Sequence, residues 1–281
     1  MDATATALIE PVDHIEQIAG TRTFWRAAEP PAGATPVLYV HGVPTNADDW
    51  TPFLQRTGGV ALDLPGFGRS DKSDHFDYSI GGYNAYLQAF IGQLGWERFS
   101  IVVHDWGGLG LVTAQELHDR VERLVVINSV PLLPGYRWHR IARAWRTPLL
   151  GELVMGLTTK ALTKLISKES RPSREPWPPE MLDSVWDHYD HGTQRAILKL
   201  YRSAPPHVLA LAGERLGMVQ APALVLWGDR DPYIPTRFAQ AFADALPNAR
   251  LKLLEDAGHW AWLDRPDAID MVAEFLLHGT G

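Results

Sequence analysis

The most restrictive feature of this chain is an apolar run, Phe99 to Val103, that halts at His104-Asp105-Trp106-Gly107-Gly108 before a helical pattern resumes at Leu109. A β-rich run that meets glycines and then becomes helical predicts a tight strand-to-helix turn, because small residues let the two elements pack closely. The residue at its apex projects away from both elements. That residue is Asp105, and its carboxylate would face a pocket near a helix N-terminus, which favours the ionised form. Such a carboxylate can displace a leaving group from saturated carbon with no base to activate it. The plainer alternative is an Asp that only caps the helix beginning at Gly107.

Other runs set the context of this turn. Val37 to Val40 ends in His41-Gly42, and Gly59 to Leu62 ends in Asp63-Leu64-Pro65-Gly66. With Arg123 to Ile127, Leu224 to Trp227 and Leu251 to Leu254, they predict buried strands followed by loops. Helical spacing over Tyr83 to Leu94 and Leu109 to His118 alternates with them, which predicts an α/β fold with a mainly parallel sheet and helices on both faces. Ile15 to Ile18 and Thr21 to Arg26, separated by Gly20, predict an antiparallel hairpin at the sheet's edge. From Pro131 to about Gly217 the alternation lapses into helices broken by Pro172, Pro176, Pro178-Pro179 and Pro205-Pro206. We read 131–217 as a helical cap inserted between core segments 1–130 and 218–281, able to cover a pocket at the strands' carboxyl ends.

Charge and composition exclude several classes. A formal charge of −7 argues against a nucleic-acid partner, since that affinity draws on clustered Lys and Arg. The one basic run, Arg137 to Arg146, carries Trp138, Ile141 and Trp145 at helical spacing and reads as an amphipathic helix with a solvated face. With no cysteine, disulfides, thiolate catalysis and cysteine-built zinc sites are excluded. The first thirty residues hold no apolar stretch of signal-peptide length, and no later run is long enough to span a bilayer, so a cytoplasmic protein with no membrane partner is expected.

An ester formed on Asp105 would need a base to activate water and an acid to orient that base. His259 fits the base, in a loop just past the final strand. The acid should follow Leu224 to Trp227, where Asp231 is preferred over Asp229. Asn128, on the turn after the preceding strand, is an amide and cannot act as a charged partner. Hydrolysis also needs backbone N–H donors for a tetrahedral oxyanion, which Val43 and Trp106 would supply. Gly66-Phe67-Gly68 lacks the spacing of a dinucleotide fingerprint, and His41, His104 and His118 lack that of a metalloprotease helix. No cofactor is expected.

In this order His41-Gly42-x-Pro44 with Trp50, Asp63-x-x-Gly66-x-Gly68-x-Ser70-Asp71, His104-Asp105-Trp106-Gly107-Gly108, Gly228-x-x-Asp231 and Gly258-His259 resemble the α/β-hydrolase superfamily. Within it they resemble the epoxide hydrolases and haloalkane dehalogenases that use an aspartate nucleophile, over nearly the whole chain. The resemblance implies Asp105 as nucleophile, His259 as base and Asp231 as acid. It places His41, Trp106, Trp138 and His139 in the pocket around substrate and leaving group. Leu200-Tyr201-Arg202 is similar to the second ring-opening tyrosine motif of epoxide hydrolases and makes Tyr201 the candidate acid. The first such tyrosine has no clear counterpart, since Trp138, His139 and Trp145 occupy that segment and Tyr136 comes early.

The resemblance therefore implies epoxide hydrolysis first and dehalogenation second, with a small apolar organic substrate and water. Many such dehalogenases have Asn or Glu where Val43 stands, leaving Trp106 as the clear halide donor unless a cap Trp completes the pair. Fluoroacetate dehalogenases rank third, because they carry Arg where Trp106 stands. A catalytically silent ligand-binding protein of this fold is the alternative from outside enzymology, and a homodimer is left open.

Overall fold

The apolar runs become strands two to four residues longer than their sequence limits in all but two cases, because main-chain pairing carries on past the buried side chains that signal them. Residues 8–279 are described by the structure, a computed structural model. The strands are β1 (Val12–Ile18), β2 (Thr21–Ala28), β3 (Val37–Val40), β4 (Gly59–Leu62), β5 (Phe99–Asp105), β6 (Val121–Ser129), β7 (Ala223–Gly228) and β8 (Ala249–Leu254). They form one sheet in the order β1-β2-β4-β3-β5-β6-β7-β8. β1 and β2 pair antiparallel at its edge, β2 pairs antiparallel with β4, and the remaining pairs are parallel. Residues 1–7 and 280–281 of the expected core segments lie outside the described residues.

The helices of the first half are α1 (Thr51–Thr57), α2 (Ile80–Gln93) and α3 (Gly110–Glu116). Between β6 and β7 lie α4 (Arg140–Arg146), α5 (Leu150–Leu157), α6 (Lys160–Ser167), α7 (Pro179–Asp187), α8 (His191–Ser203) and α9 (Pro206–Ala212). After β7 come α10 (Arg237–Ala245), α11 (Ala261–Asp264) and α12 (Asp267–His278).

Period-two alternation gives the sheet two apolar faces. Leu38, Val40, Ile101 and Val103 pack on one side with Tyr83 and Phe90 of α2. Val37, Tyr39, Val102 and Val125 pack on the other with Phe53 of α1 and Phe275 of α12. Burial at about 25 cal/mol per Å² of apolar surface on both faces makes this sheet the main source of stability.

Two local expectations change. Leu109 to His118 is not one helix: a 3-10 turn spans Trp106–Leu109, α3 follows, and another 3-10 turn spans His118–Arg120. Glycines at 107, 108 and 110 allow the tighter first turn. Trp138 is outside the basic helix, because His139 is extended (φ −65°, ψ 171°) and α4 starts only at Arg140.

The helices between β6 and β7 are tied to the core on one side. Ser184 of α7 donates to Asp48 Oδ2 at 2.5 Å and accepts from Asn46 Nδ2 at 2.9 Å. Lys72 Nζ donates to the His188 carbonyl at 2.7 Å and to Asp190 Oδ2 at 2.9 Å.

The turn after β5 tolerates no side chain at its second position. A Cβ on Gly107 would lie 2.0 Å from the Val40 carbonyl oxygen of β3. Gly107→Ala is expected to destabilise the protein by about 1–3 kcal/mol or more through overpacking against backbone. Urea unfolding would read this as a lower midpoint at unchanged slope, and an unchanged midpoint would contradict so close an approach.

Candidate active site

Asp105 ends β5 with φ 48° and ψ −122°, a conformation that a non-glycine residue adopts only under constraint. Its carbonyl accepts from Val130 N–H at 2.9 Å and from Ser129 Oγ at 3.2 Å, which holds the turn. The side chain makes no capping bond to the helix that follows, so capping does not account for it. Its Oδ1 instead accepts the Val43 backbone N–H at 2.8 Å, and its Oδ2 lies 3.4 Å from His259 Nε2. Gly42 makes room for this, because a Cβ there would come within 2.5 Å of Oδ1.

His259 Nδ1 lies 2.7 Å from Asp231 Oδ2, so the structure brings Asp105, His259 and Asp231 into one line. Asp231 Oδ1 accepts the N–H groups of Tyr233 and Ile234 at 2.8 and 3.0 Å. The His259 N–H donates to the Ser170 carbonyl at 2.9 Å, and the His259 carbonyl accepts from His104 Nε2 at 3.0 Å.

Electrostatics follow from this line. Burial alone would hold His259 neutral, but the Asp231 and Asp105 carboxylates outweigh it and push the imidazole up to about 10. Burial would raise Asp105, yet its contact with His259, with help from the Val43 N–H, brings it below the ordinary carboxylate value. Burial, with the neighbouring His259 charge, drives His104 down to about 3, so it packs beneath His259 as a neutral ring.

Asn128 was set aside in the sequence because it carries no charge, yet it is part of the site. Its Nδ2 donates to Asp231 Oδ2 at 2.7 Å while its Oδ1 accepts from Gly228 N–H at 2.9 Å. One amide thus fixes the carboxylate against the strand that carries it. Only its position at the end of β6, next to the strand that leads to Asp231, could have signalled this. Ser170, Tyr233 and Trp260 were missed for a similar reason: Ser170 and Trp260 act through main-chain or packing contacts, and Tyr233 follows Asp231 in a turn whose N–H groups the carboxylate takes.

A cavity of about 140 Å³ lies over Asp105 and His259. Val43, His139, Tyr201 and Tyr233 line it near the carboxylate, and Val154, Leu162 and Ile166 line it farther out. No Lys or Arg side chain does. His139 is pushed down to about 4, chiefly by burial, and faces Tyr233 at 4.9 Å between rings. Burial and the nearby Asp105 charge raise the Tyr201 hydroxyl well above its usual value, so it holds its proton.

Three of the expected pocket residues, His41, Trp106 and Trp138, are not part of the cavity lining. His41 does not line the cavity: its Nε2 accepts from Leu64 N–H at 2.9 Å and its Nδ1 lies 2.7 Å from the Gly42 carbonyl. Burial keeps it neutral, and it fastens the loop after β3 to the loop after β4. Trp138 stacks behind Trp106 at 5.3 Å, and its indole N–H is taken by the Ala204 carbonyl at 3.0 Å. Trp106 is buried between Trp138 and Tyr201. Its indole N–H has no well-formed hydrogen bond, and the Tyr201 hydroxyl is its polar neighbour.

Residues 35–266 match the model of the alpha/beta hydrolase fold family. The chain belongs to that family and is an α/β-hydrolase. It is 25% identical to epoxide hydrolase 4 of Mus musculus over 267 residues, 87% of this chain and 73% of that protein. Among solved structures, the haloalkane dehalogenase DbeA from Bradyrhizobium elkani matches with a TM-score of 0.81 at 24% identity, over 95% of this chain and 98% of that one. The epoxide hydrolase CorEH matches with a TM-score of 0.78 at 19% identity, over 95% of this chain and 98% of that one. At such identities these two structures speak for the fold alone.

The His259 charge provides a direct test. Removing a flanking carboxylate removes stabilisation of the imidazolium, so Asp105→Ala should lower the His259 pKa from about 10, read by NMR titration of the ring nitrogens. By linkage, the stability this charge contributes is fully present below the unfolded value of 6.5 and fades as pH climbs through about 10. An unchanged titration in the variant would show that Asp105 does not hold the proton. Asn128→Ala should cost about 1–3 kcal/mol by orphaning the Gly228 N–H, with a parallel loss of activity.

Proposed function

We propose that this α/β-hydrolase opens small apolar epoxides to diols through an ester on Asp105. The observation that carries this reading is a protonated tyrosine, Tyr201, lining the same apolar cavity as a carboxylate held by His259 and Val43. Asp105 Oδ2 attacks an epoxide carbon, the carbon–oxygen bond of the ring breaks, and Tyr201 donates its proton to the departing oxygen. Tyr201 is then replenished from the His259 imidazolium through solvent.

Forming the ester removes the charge of Asp105 beside His259, so the imidazole loses one of its two supports and can become the neutral base. It takes a proton from water, and the hydroxide attacks the Asp105 carboxyl carbon. Oδ1, already on the Val43 N–H, carries the oxyanion. Collapse releases the diol and restores the carboxylate. The helices between β6 and β7, about residues 131–217, serve in this reading as the cap that excludes bulk water, and His139 lies against the reacting oxygen. The absence of a cationic side chain from the cavity lining disfavours carboxylate substrates.

Dehalogenation by the same ester is the second reading, favoured by the indole N–H of Trp106, which makes no well-formed hydrogen bond. Its second donor is neither Val43, which has no side-chain N–H, nor Trp138, whose indole N–H is taken by Ala204.

Diol from styrene oxide, with no bromide from 1-bromobutane, is the outcome expected. The reverse pattern would replace the first reading with the second. His259→Gln should accumulate a covalent adduct on Asp105, seen as a rise in intact mass with substrate. Tyr201→Phe should slow epoxide opening by about 10²–10⁴-fold, the usual worth of a general acid. An Asp105→Ala protein that kept full turnover would remove the nucleophile from this account.

A further inference from the structure

We propose that the outer face of α4 to α6 docks on an anionic phospholipid surface, so that the cavity opens against the bilayer interface. The inference concerns where the protein sits and does not rest on the reaction proposed above. Residues 137–169 carry seven Lys and Arg but only Glu152 and Glu169, a net of +5 in a chain of −7, which leaves −12 on the rest. Glu152 is bound by Arg202 at 2.7 Å, Glu169 by Arg140 at 2.9 Å, and Lys160 pairs with Asp183 at 2.7 Å. Among the described residues, the exposed Arg137, Arg143, Lys164 and Lys168 form no ion pair.

The same segment exposes apolar side chains to an unusual degree. Leu149, Leu153 and Leu157, spaced four apart around α5, are 84%, 58% and 64% exposed, and Leu165 of α6 is 62% exposed. Contiguous apolar surface of this kind marks an interaction site in a folded protein. These helices also wall the cavity from within through Val154, Leu162 and Ile166, and Ile166 is itself 38% exposed. Apolar lining and apolar surface therefore meet at one edge.

Leucines flanked by Lys and Arg are the signature of a surface that enters the headgroup region of an acidic leaflet. Here the cationic face stands out against the remainder of the chain, which carries a net −12. A symmetric second copy is disfavoured, since it would press the same cations against each other. Docking is peripheral: no helix among the described residues is long and apolar enough to cross a membrane.

The test is flotation of the whole chain with phosphatidylcholine vesicles, with and without about a third phosphatidylglycerol. Binding is expected only to the anionic vesicles, and salt should weaken it. Leu153→Ser with Leu157→Ser, and separately Arg143→Glu with Lys164→Glu, should each lower binding by about tenfold or more. Turnover of a small water-soluble substrate should stay unchanged in both variants. Protein that ignores anionic vesicles, or binds equally well in both variants, overturns the proposal. A dimer that the leucine variants dissociate, with no vesicle binding by the parent, would assign the face to a second copy instead.

Discussion

The site depends on the turn at Asp105, where a φ of 48° is imposed on a residue that carries a Cβ. Such strain survives only where the surroundings overdetermine it. Val130 and Ser129 grip the carbonyl on one side, while Val43 N–H and His259 grip the carboxylate on the other. The glycines around the turn follow from this. Gly42 yields space to the carboxylate, Gly107 to the β3 backbone, and Gly108 to Ser129 Oγ, 2.4 Å from where its Cβ would stand.

From that turn the hydrogen-bonded line runs across the ends of four strands, β5 to β8. Asn128 holds Asp231, Asp231 holds His259, and His259 faces Asp105. A buried imidazolium between two carboxylates is tolerable because each charge has an opposite within hydrogen-bonding reach. His104 below it contributes no charge, only a donor to the His259 carbonyl and a ring against which His259 rests.

Most of the fold was legible because buried parallel strands must be apolar throughout, and β3 and β4 begin and end where their runs do. The line of Asp105, Asp231 and His259 was legible because each stands at or just past the carboxyl end of a parallel strand. Elsewhere the sequence misled for identifiable reasons. Trp138 and His41 are polar-tipped rings near the site, but whether such a tip faces substrate depends on distant carbonyls and N–H groups. The Ala204 carbonyl that takes the Trp138 N–H belongs to a residue sixty-six positions away. Asn128 was passed over because it has no charge, whereas its use lies in having a donor and an acceptor on one planar group.

The fastenings at Ser184 and Lys72 fix α7 and the start of α8 to the loops of the sheet. The far wall of the cavity is built from α5 and α6, which pack on α8 and α7 respectively and contribute none of Asp105, Asp231, His259 and Tyr201. Pocket size and chemical machinery are thus separable inheritances in this chain. A lineage can remodel the stretch from Leu150 to Ser167 to admit longer or bulkier molecules while Asp105, Asp231 and His259 keep their places.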